Sequence, residues 1–232
     1  MGSNRPAGAG VALAILVVIP LGLLVRAGWE PLIAADAEIS DELVIPGRGT
    51  DVDALQILTA AGSTTFRWAV LAPLAVWLAW RRQWQLVVFV VAGGALIGGM
   101  NEILKSIFDR PRPSYDGTIH AIGYSYPSGH AAGIAATVMV LVVVFWPVLS
   151  GPWRRVTIVL AIGFAFVVGY TRVALGVHFA SDVIAGWCVG VAWVLLLAVV
   201  LQVWPGQPGA VRSGWWAAQD STSPPSGRII QR

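Results

Sequence analysis

Charge is scarce in this 232-residue chain. Only 12% of its residues are Asp, Glu, Lys or Arg, and 56% are hydrophobic. A soluble domain carries about 25% charged residues, so a mean hydropathy of +0.72 excludes one. Lysine occurs once, at Lys105, and histidine three times. A net charge of +3 is too small to make a nucleic-acid surface, and no nucleic-acid partner is expected. Cysteine also occurs once, at Cys188, which excludes an internal disulfide. Lying inside an apolar run, Cys188 reads as a small packed hydrophobe. No internal repeat is present. What the chain does have is long apolar runs, and these specify an integral membrane protein built as one bundle.

A bilayer-spanning helix needs about 20 mostly apolar residues. Six segments qualify. The first lies between Arg5 and Arg26, the second from about Leu58 to Trp80, and the third from about Gln85 to Leu104. The fourth runs from Ser128 to about Leu149, the fifth from about Trp153 to Arg172, and the sixth from about His178 to Trp204. Pro20 and Pro73 fall inside spans, where proline is tolerated better than in soluble helices. The expected fold is therefore all-α: a polytopic six-helix membrane domain over residues 1–204. The tail, 205–232, is rich in Pro, Gly and Ser and reads as disordered. A cleaved signal peptide ending near Ala35-Asp36-Ala37 is the rival reading of the N-terminus. Arg26, Glu30 and Pro31 separate that site from the apolar core, and the uncharged run Pro6 to Val25 is long enough to span.

Basic residues in short loops set orientation. Arg81-Arg82 follow the second span and Arg154-Arg155 the fourth; with six spans, Arg5 and the tail's Arg212, Arg228 and Arg232 share that side. That side reads as cytoplasmic and holds both termini. Trp80, Trp84, Trp146, Trp153 and Trp204 fall near it, as an aromatic belt does. The outer side holds residues 27–56, with seven of the twelve acidic residues. Residues 30–56 read as a solvated loop, with a short amphipathic surface helix as the alternative. The outer side also holds Lys105, Arg110, Arg112, Arg172 and His178, cations that run against the orientation rule.

Those cations fall in three stretches: KSIFDRPRP (105–113), PSGH (127–130) and TRVALGVHFASD (171–182). Each lies where a span meets the outer surface, so the three can share a pocket. Lys105, Arg112 and Arg172 together balance a phosphate dianion and the further charge of its transition state. Arginine's planar fork suits paired phosphate oxygens. Taken singly, each cation reads as one that snorkels to lipid head groups. Pro127 starts the fourth helix, which puts Ser128, Gly129 and His130 in its first turn. Backbone N–H groups there lack intrahelical partners and bind anions. Gly129 admits a ligand close to the backbone, Ser128 adds a hydroxyl, and His130 carries a proton near neutral pH. His178 and Asp182 are four apart and share a helix face. A carboxylate so placed holds one ring nitrogen and leaves the other free to attack.

These motifs resemble the type 2 phosphatidic acid phosphatases, or lipid phosphate phosphatases. That family's signature is K-x6-R-P, then P-S-G-H, then S-R-x5-H-x3-D. Lys105, Arg112, Pro113, Pro127, Ser128, Gly129, His130, Arg172, His178 and Asp182 match it in order and spacing. Thr171 stands where the family usually has serine and keeps the hydroxyl. The six-span layout extends the likeness to roughly residues 7–204. The resemblance implies a bacterial plasma-membrane enzyme, multi-pass, with its site on the extracytoplasmic face. His178 would form a phosphohistidine, His130 would serve as general acid and then base, and Asp182 would orient His178. Lys105, Arg112, Ser128, Gly129 and Arg172 would hold the phosphoryl oxygens. No cofactor or metal is implied, and the motifs offer one carboxylate where Mg²⁺ sites use several.

The implied partners are membrane lipids and a lipid phosphate or diphosphate substrate. Phosphatidic acid or phosphatidylglycerophosphate is one class, and a polyprenyl diphosphate is the other. A lipid phosphotransferase would use the same residues. A vanadium haloperoxidase is disfavoured by the six apolar spans. A non-catalytic transporter is disfavoured by the intact His130, His178 and Asp182. Outside the motifs, Arg110 reads as a supporting or surface cation, which a diphosphate's second phosphate could use. Arg67 reads as snorkelling or meeting an anionic head group, His120 as solvated, and Glu102 as a partner for a nearby cation. Asp109, Asp116, Tyr124 and Tyr126 are candidates for the pocket's rim. Neither the lipid nor the oligomeric state follows from these residues.

Overall fold

The computed structural model describes residues 5–47, 49–115 and 121–204. The tail from 205, and with it Arg212, Arg228 and Arg232, lies outside the described residues, as do Asp116 and His120. Among the described residues there are eight α-helices and no strand. They are α1 (Arg5–Arg26), α2 (Glu30–Leu43), α3 (Thr50–Thr59), α4 (Thr64–Trp80), α5 (Trp84–Phe108), α6 (Gly129–Phe145), α7 (Gly151–Ala174) and α8 (Ala180–Val200).

Five of them, α1, α5, α6, α7 and α8, are long and apolar enough to cross a membrane. Pro20 and Pro73 sit inside α1 and α4, as expected. The expected second span, Leu58 to Trp80, is broken. A single 3₁₀ turn, Ala60–Gly62, ends the run from α3, and Ser63 opens α4 afresh, its hydroxyl accepting from the Phe66 N–H at 3.1 Å. What is left is a 17-residue helix, roughly 26 Å long at 1.5 Å per residue. The third span runs one turn further than expected, to Phe108, so Lys105 lies on the helix itself.

Residues 30–56 are not a solvated loop. α2 and most of α3 lie there, and both pack on protein. α3 buries Val52 and Leu55 against Ala174, Leu175 and Val177 at the end of α7. α2 buries two polar residues, Asp36 and Ser40, a choice that hydrophobic patterning does not explain.

The bundle is held centrally by α6 and α8. Gly186 and Gly190, four apart on α8, bring the two backbones together. A Cβ on Gly186 would lie 2.5 Å from the Ser128 carbonyl oxygen and 2.9 Å from the Ala131 Cβ. Close approach over small residues substitutes for the hydrophobic drive that lipid removes. α1 packs along α8, and the Trp193 indole N–H of α8 donates to the Ala92 carbonyl of α5 at 3.3 Å. Cys188 is half-buried and packs against this core. Gln85 at the start of α5 bonds the Leu201 carbonyl past the end of α8. At the opposite end, Arg26 bonds the Ile107 carbonyl. The helices thus alternate in direction, and the C-terminal ends of α1, α5 and α7 meet the N-terminal ends of α4, α6 and α8.

Candidate active site

That meeting of helix ends builds the site. α5 supplies Lys105 in its last turn and stops at Asp109, whose left-handed backbone (φ 42°) turns the chain. The extended segment that follows carries Arg110 and Arg112. α6 opens with Ser128 as N-cap, then Gly129 and His130. α7 ends with Arg172 in its last turn. The short link to α8 carries His178, and Asp182 lies in the first turn of α8.

The core of the site is a line of three side chains. His178 Nδ1 is 3.3 Å from Asp182 Oδ2, and its Nε2 is 3.2 Å from Arg112 Nη1. One ring nitrogen is thereby tied to a carboxylate and the other faces a guanidinium. Arg112 is itself held by backbone carbonyls, at 2.8 Å from Val177 and 2.9 Å from Gly123. Burial pulls the Arg112 guanidinium below its usual value, while the charges of Asp182 and then Glu102 oppose that pull. A bound anion would replace the hydration Arg112 has lost.

The backbone keeps these parts in register. The His178 N–H donates to the Arg172 carbonyl at 3.2 Å, and the Ser128 N–H donates to the Asp182 carbonyl at 2.9 Å. The Phe179 N–H donates to Asp182 Oδ2 at 3.0 Å, the carboxylate half of a capping box. Ser128 Oγ is buried and has no hydrogen-bond partner among the described residues, and neither does Arg172 Nε. Both are donors left open at an anion-sized site. The other end of Arg172 is fixed by a bond from Nη1 to Thr59 Oγ1, 3.0 Å.

Lys105, Gly129 and His130 line a cavity of about 200 Å³ beside this line. Lys105 Nζ pairs with Glu102 Oε1 at 3.0 Å, the partner anticipated for Glu102. Arg172, His178, Arg67 and Lys105 all lie close enough to act on the charge of His130. The structure therefore gathers every motif residue at one end of the bundle. Among the described residues, no three His, Cys, Asp or Glu side chains group closely enough to hold a metal ion.

Several residues are placed otherwise than expected. Of the two readings of Arg110 the structure bears out the supporting cation and not the surface one: it is 5% exposed and bridges two carboxylates, with Nη1 2.7 Å from Asp182 Oδ1 and Nη2 2.7 Å from Asp36 Oδ2. Nη1 also reaches Ser181 Oγ at 2.8 Å, and the guanidinium lies 4.0 Å from the centroid of the Phe179 ring. Asp36 completes the network by accepting from the Ser181 backbone N–H at 3.0 Å. Asp36 was invisible in the sequence, because a partner 74 residues away leaves no periodic trace. Arg67 does not snorkel to lipid. The break at Ser63 puts it one turn into α4, buried, against the bare backbone of Gly133. Tyr126 is core rather than rim: fully buried, it packs edge-on against Phe108 and donates to the Val18 carbonyl at 2.6 Å. Tyr124 stays exposed.

A sequence model of the PAP2 superfamily matches residues 82–205, from the start of α5 to past the end of α8. The chain belongs to the PAP2 superfamily. Phosphatidylglycerophosphatase B of Bacillus subtilis (strain 168) is 31% identical over 166 residues, which cover 68% of this chain and 78% of that protein. Undecaprenyl-diphosphatase of Sulfolobus acidocaldarius is 39% identical over a shorter stretch of 79 residues, 34% of either chain. The crystal structure of a transmembrane PAP2 type phosphatidylglycerolphosphate phosphatase from Bacillus subtilis superposes with a TM-score of 0.67. It covers 80% of this chain and 94% of the other at 24% identity, and so shows a shared fold. This PAP2 protein is thus a multi-pass, all-helical membrane protein of the lipid phosphate phosphatase class. Arg67 and Asp36 both lie outside the residues that the PAP2 model matches.

Proposed function

We propose that the protein hydrolyses the terminal phosphate of a lipid phosphate at the extracytoplasmic face of the plasma membrane, through a phosphohistidine on His178. The observation that carries this reading is the His178 ring, held between Asp182 at Nδ1 and Arg112 at Nε2. Asp182 fixes the tautomer in which Nδ1 bears the proton and Nε2 bears the lone pair. Arg112, Arg172, Lys105, Ser128 Oγ and the first N–H groups of α6, among them that of Gly129, would hold the phosphoryl oxygens.

His178 Nε2 attacks phosphorus and the bond to the lipid oxygen breaks. His130 gives that oxygen its proton. Water then attacks the phosphohistidine, His130 takes the water's proton, and the N–P bond breaks to release inorganic phosphate. The cations do the charge work that a metal does elsewhere, so the reaction proceeds in EDTA.

The chain crosses the membrane six times, with α4 at the short end of the workable range of about 17–25 residues. Arg81-Arg82 and Arg154-Arg155 lie at the end of the bundle opposite the site, and under the positive-inside rule this supports an outer site. A phospholipid monoester such as phosphatidic acid or phosphatidylglycerophosphate is the leading substrate class. The alternative is a polyprenyl diphosphate, the class named for the Sulfolobus relative.

The test is phosphate release by purified protein in detergent with EDTA, wild type against His178→Ala. Release that survives EDTA and vanishes in the variant, with an acid-labile labelled intermediate trapped on the wild type, is expected. Release by His178→Ala at the wild-type rate would overturn the mechanism. No release without an added hydroxyl acceptor would convert the reading to a phosphotransferase.

A further inference from the structure

The cavity of about 200 Å³ beside His130 holds more cationic chemistry than one phosphoryl group needs. It is lined by Ser63, Thr64 and Arg67 of the α4 start, Asn101 and Lys105 of α5, and His130 of α6, with Glu102 at its edge. Of the groups that would hold the transferred phosphoryl, Lys105 and Gly129 border this cavity, whereas Arg112, Arg172 and the nucleophile His178 are not among its walls. The cavity therefore lies on the His130 side, where the leaving group goes.

Arg67 is what the proposed chemistry leaves unused. It is 5% exposed, yet no carboxylate pairs with it among the described residues. Its Nη2 donates to Thr64 Oγ1 at 3.0 Å, and Nε has no partner among the described residues. A buried guanidinium without a counter-charge is costly unless something supplies one. Lys105 pairs with Glu102 and would also serve the transferred phosphoryl group. Two helix N-termini, of α4 at Ser63-Thr64 and of α6 at Gly129-His130, open on the same space and favour negative charge there. Asn101, 2% exposed, adds an oxygen with no partner among the described residues, suited to a hydroxyl on the ligand. The volume is many times the roughly 10–15 Å³ that admits one water.

We infer that Arg67 marks a second anion subsite, which binds a phosphate or phosphodiester on the leaving-group side of the substrate. This rests on the proposed hydrolase and narrows its substrate. A polyprenyl diphosphate has such a group directly attached, and phosphatidylglycerophosphate has one across its glycerol. Phosphatidic acid has none. Arg67 is then a specificity residue that favours lipids with two anionic groups.

The experiment compares kcat/KM on phosphatidic acid, phosphatidylglycerophosphate and a polyprenyl diphosphate for wild type, Arg67→Gln and Arg67→Lys. Arg67→Gln should lose about 10- to 100-fold on whichever two-anion lipid uses the subsite, mainly in KM, the worth of one charged hydrogen bond. Phosphatidic acid should lose clearly less, since Arg67 reaches its hydrolysis only through the charge of His130, and Arg67→Lys should recover part of the loss. The two diphosphorylated lipids distinguish a directly attached second phosphate from a distant phosphodiester. Equal losses on all three lipids, or no loss on any, would overturn the subsite.

A second arm titrates pyrophosphate and orthophosphate into the full-length protein in detergent. Wild type should bind pyrophosphate at least about 10-fold tighter, and Arg67→Gln should erase that preference. A wild-type protein with no such preference overturns the subsite even if the variants do not fold. If wild type hydrolyses none of the lipids, the hydrolase reading falls, and this titration decides the subsite by itself.

Discussion

Asp182 is the residue on which most of the site's order depends. Its two carboxylate oxygens serve His178, Arg110 and the Phe179 N–H, and its carbonyl receives the Ser128 N–H. Arg110 also ties it to Asp36, so two fully buried carboxylates share one guanidinium. Removing one partner of a buried ion pair costs about 3–5 kcal/mol, because the remaining charge stays without compensation. Arg110→Ala strands both carboxylates at once and is expected to lose that much stability and to cripple turnover. Asp36→Ala strands only part of Arg110 and should cost less. Because the two share a contact, Asp36→Ala/Arg110→Ala should cost less than the two single changes added, by about 0.5–3 kcal/mol. Thermal unfolding in detergent of the three variants measures this, and strict additivity would mean that Asp36 and Arg110 do not interact. The residues proposed to perform the chemistry stood out in the sequence because their types and spacing go together: His178 and Asp182 are four apart, and Lys105 and Arg112 seven. Arg110 stood out only as a supporting or surface cation and Asp36 not at all, since charge complementarity between distant positions has no required spacing.

The elements were legible wherever the apolar run alone decides the outcome. α1, α5, α6, α7 and α8 lie within a few residues of their expected spans. The errors came where a polar or small residue overrides hydropathy. Ser63 caps α4 and cuts the second span, and Asp36 draws α2 down onto the protein when its acidic composition suggested water. Glycine's part in packing was also hidden, because Gly186 and Gly190 sit in a run that reads simply as apolar. Their role predicts a sharp asymmetry. In Gly186→Ala the new Cβ meets the Ser128 carbonyl oxygen at 2.5 Å, and this backbone atom cannot rotate aside. α6 must shift from α8, straining the Ser128–Asp182 bond and the first turn that carries His130. A destabilisation of about 1–3 kcal/mol is expected, together with a fall in kcat/KM. In Gly163→Ala on α7 the Cβ meets nothing within 4 Å, and the change should be neutral or slightly stabilising. Melting and turnover of the two variants, measured side by side, check this; equal effects would remove α6–α8 contact as the cause.

At the scale of the whole molecule, the distribution of charge is a statement about topology. The site end carries Lys105, Arg110, Arg112 and Arg172, but Arg110 is spent on Asp36 and Asp182, Arg172 is buried, and Lys105 is paired with Glu102. Cations neutralised or sequestered in this way cease to contradict the positive-inside rule, which leaves Arg81-Arg82 and Arg154-Arg155 at the other end to set the orientation. Arg154 stacks 4.8 Å over the Trp146 ring, and Trp80, Trp84 and Trp153 are exposed beside these arginines, in the manner of an interfacial belt. The proposed orientation can be read directly by labelling. Cys188 is the chain's one cysteine, and Cys188→Ala, a small apolar replacement, gives a thiol-free background. Ile122, 98% exposed beside the site, and Arg82, exposed in the α4–α5 turn, are then changed one at a time: Ile122→Cys and Arg82→Cys. In intact cells a membrane-impermeant maleimide should label Ile122→Cys, and should label Arg82→Cys only after permeabilisation. The reverse pattern would place the site in the cytoplasm, and a lipid phosphate reaching it would have to be drawn from the inner leaflet. Labelling of both positions in intact cells would break the alternation of helix directions on which the six-span reading depends, and α4, at 17 residues, would be the helix to re-examine first.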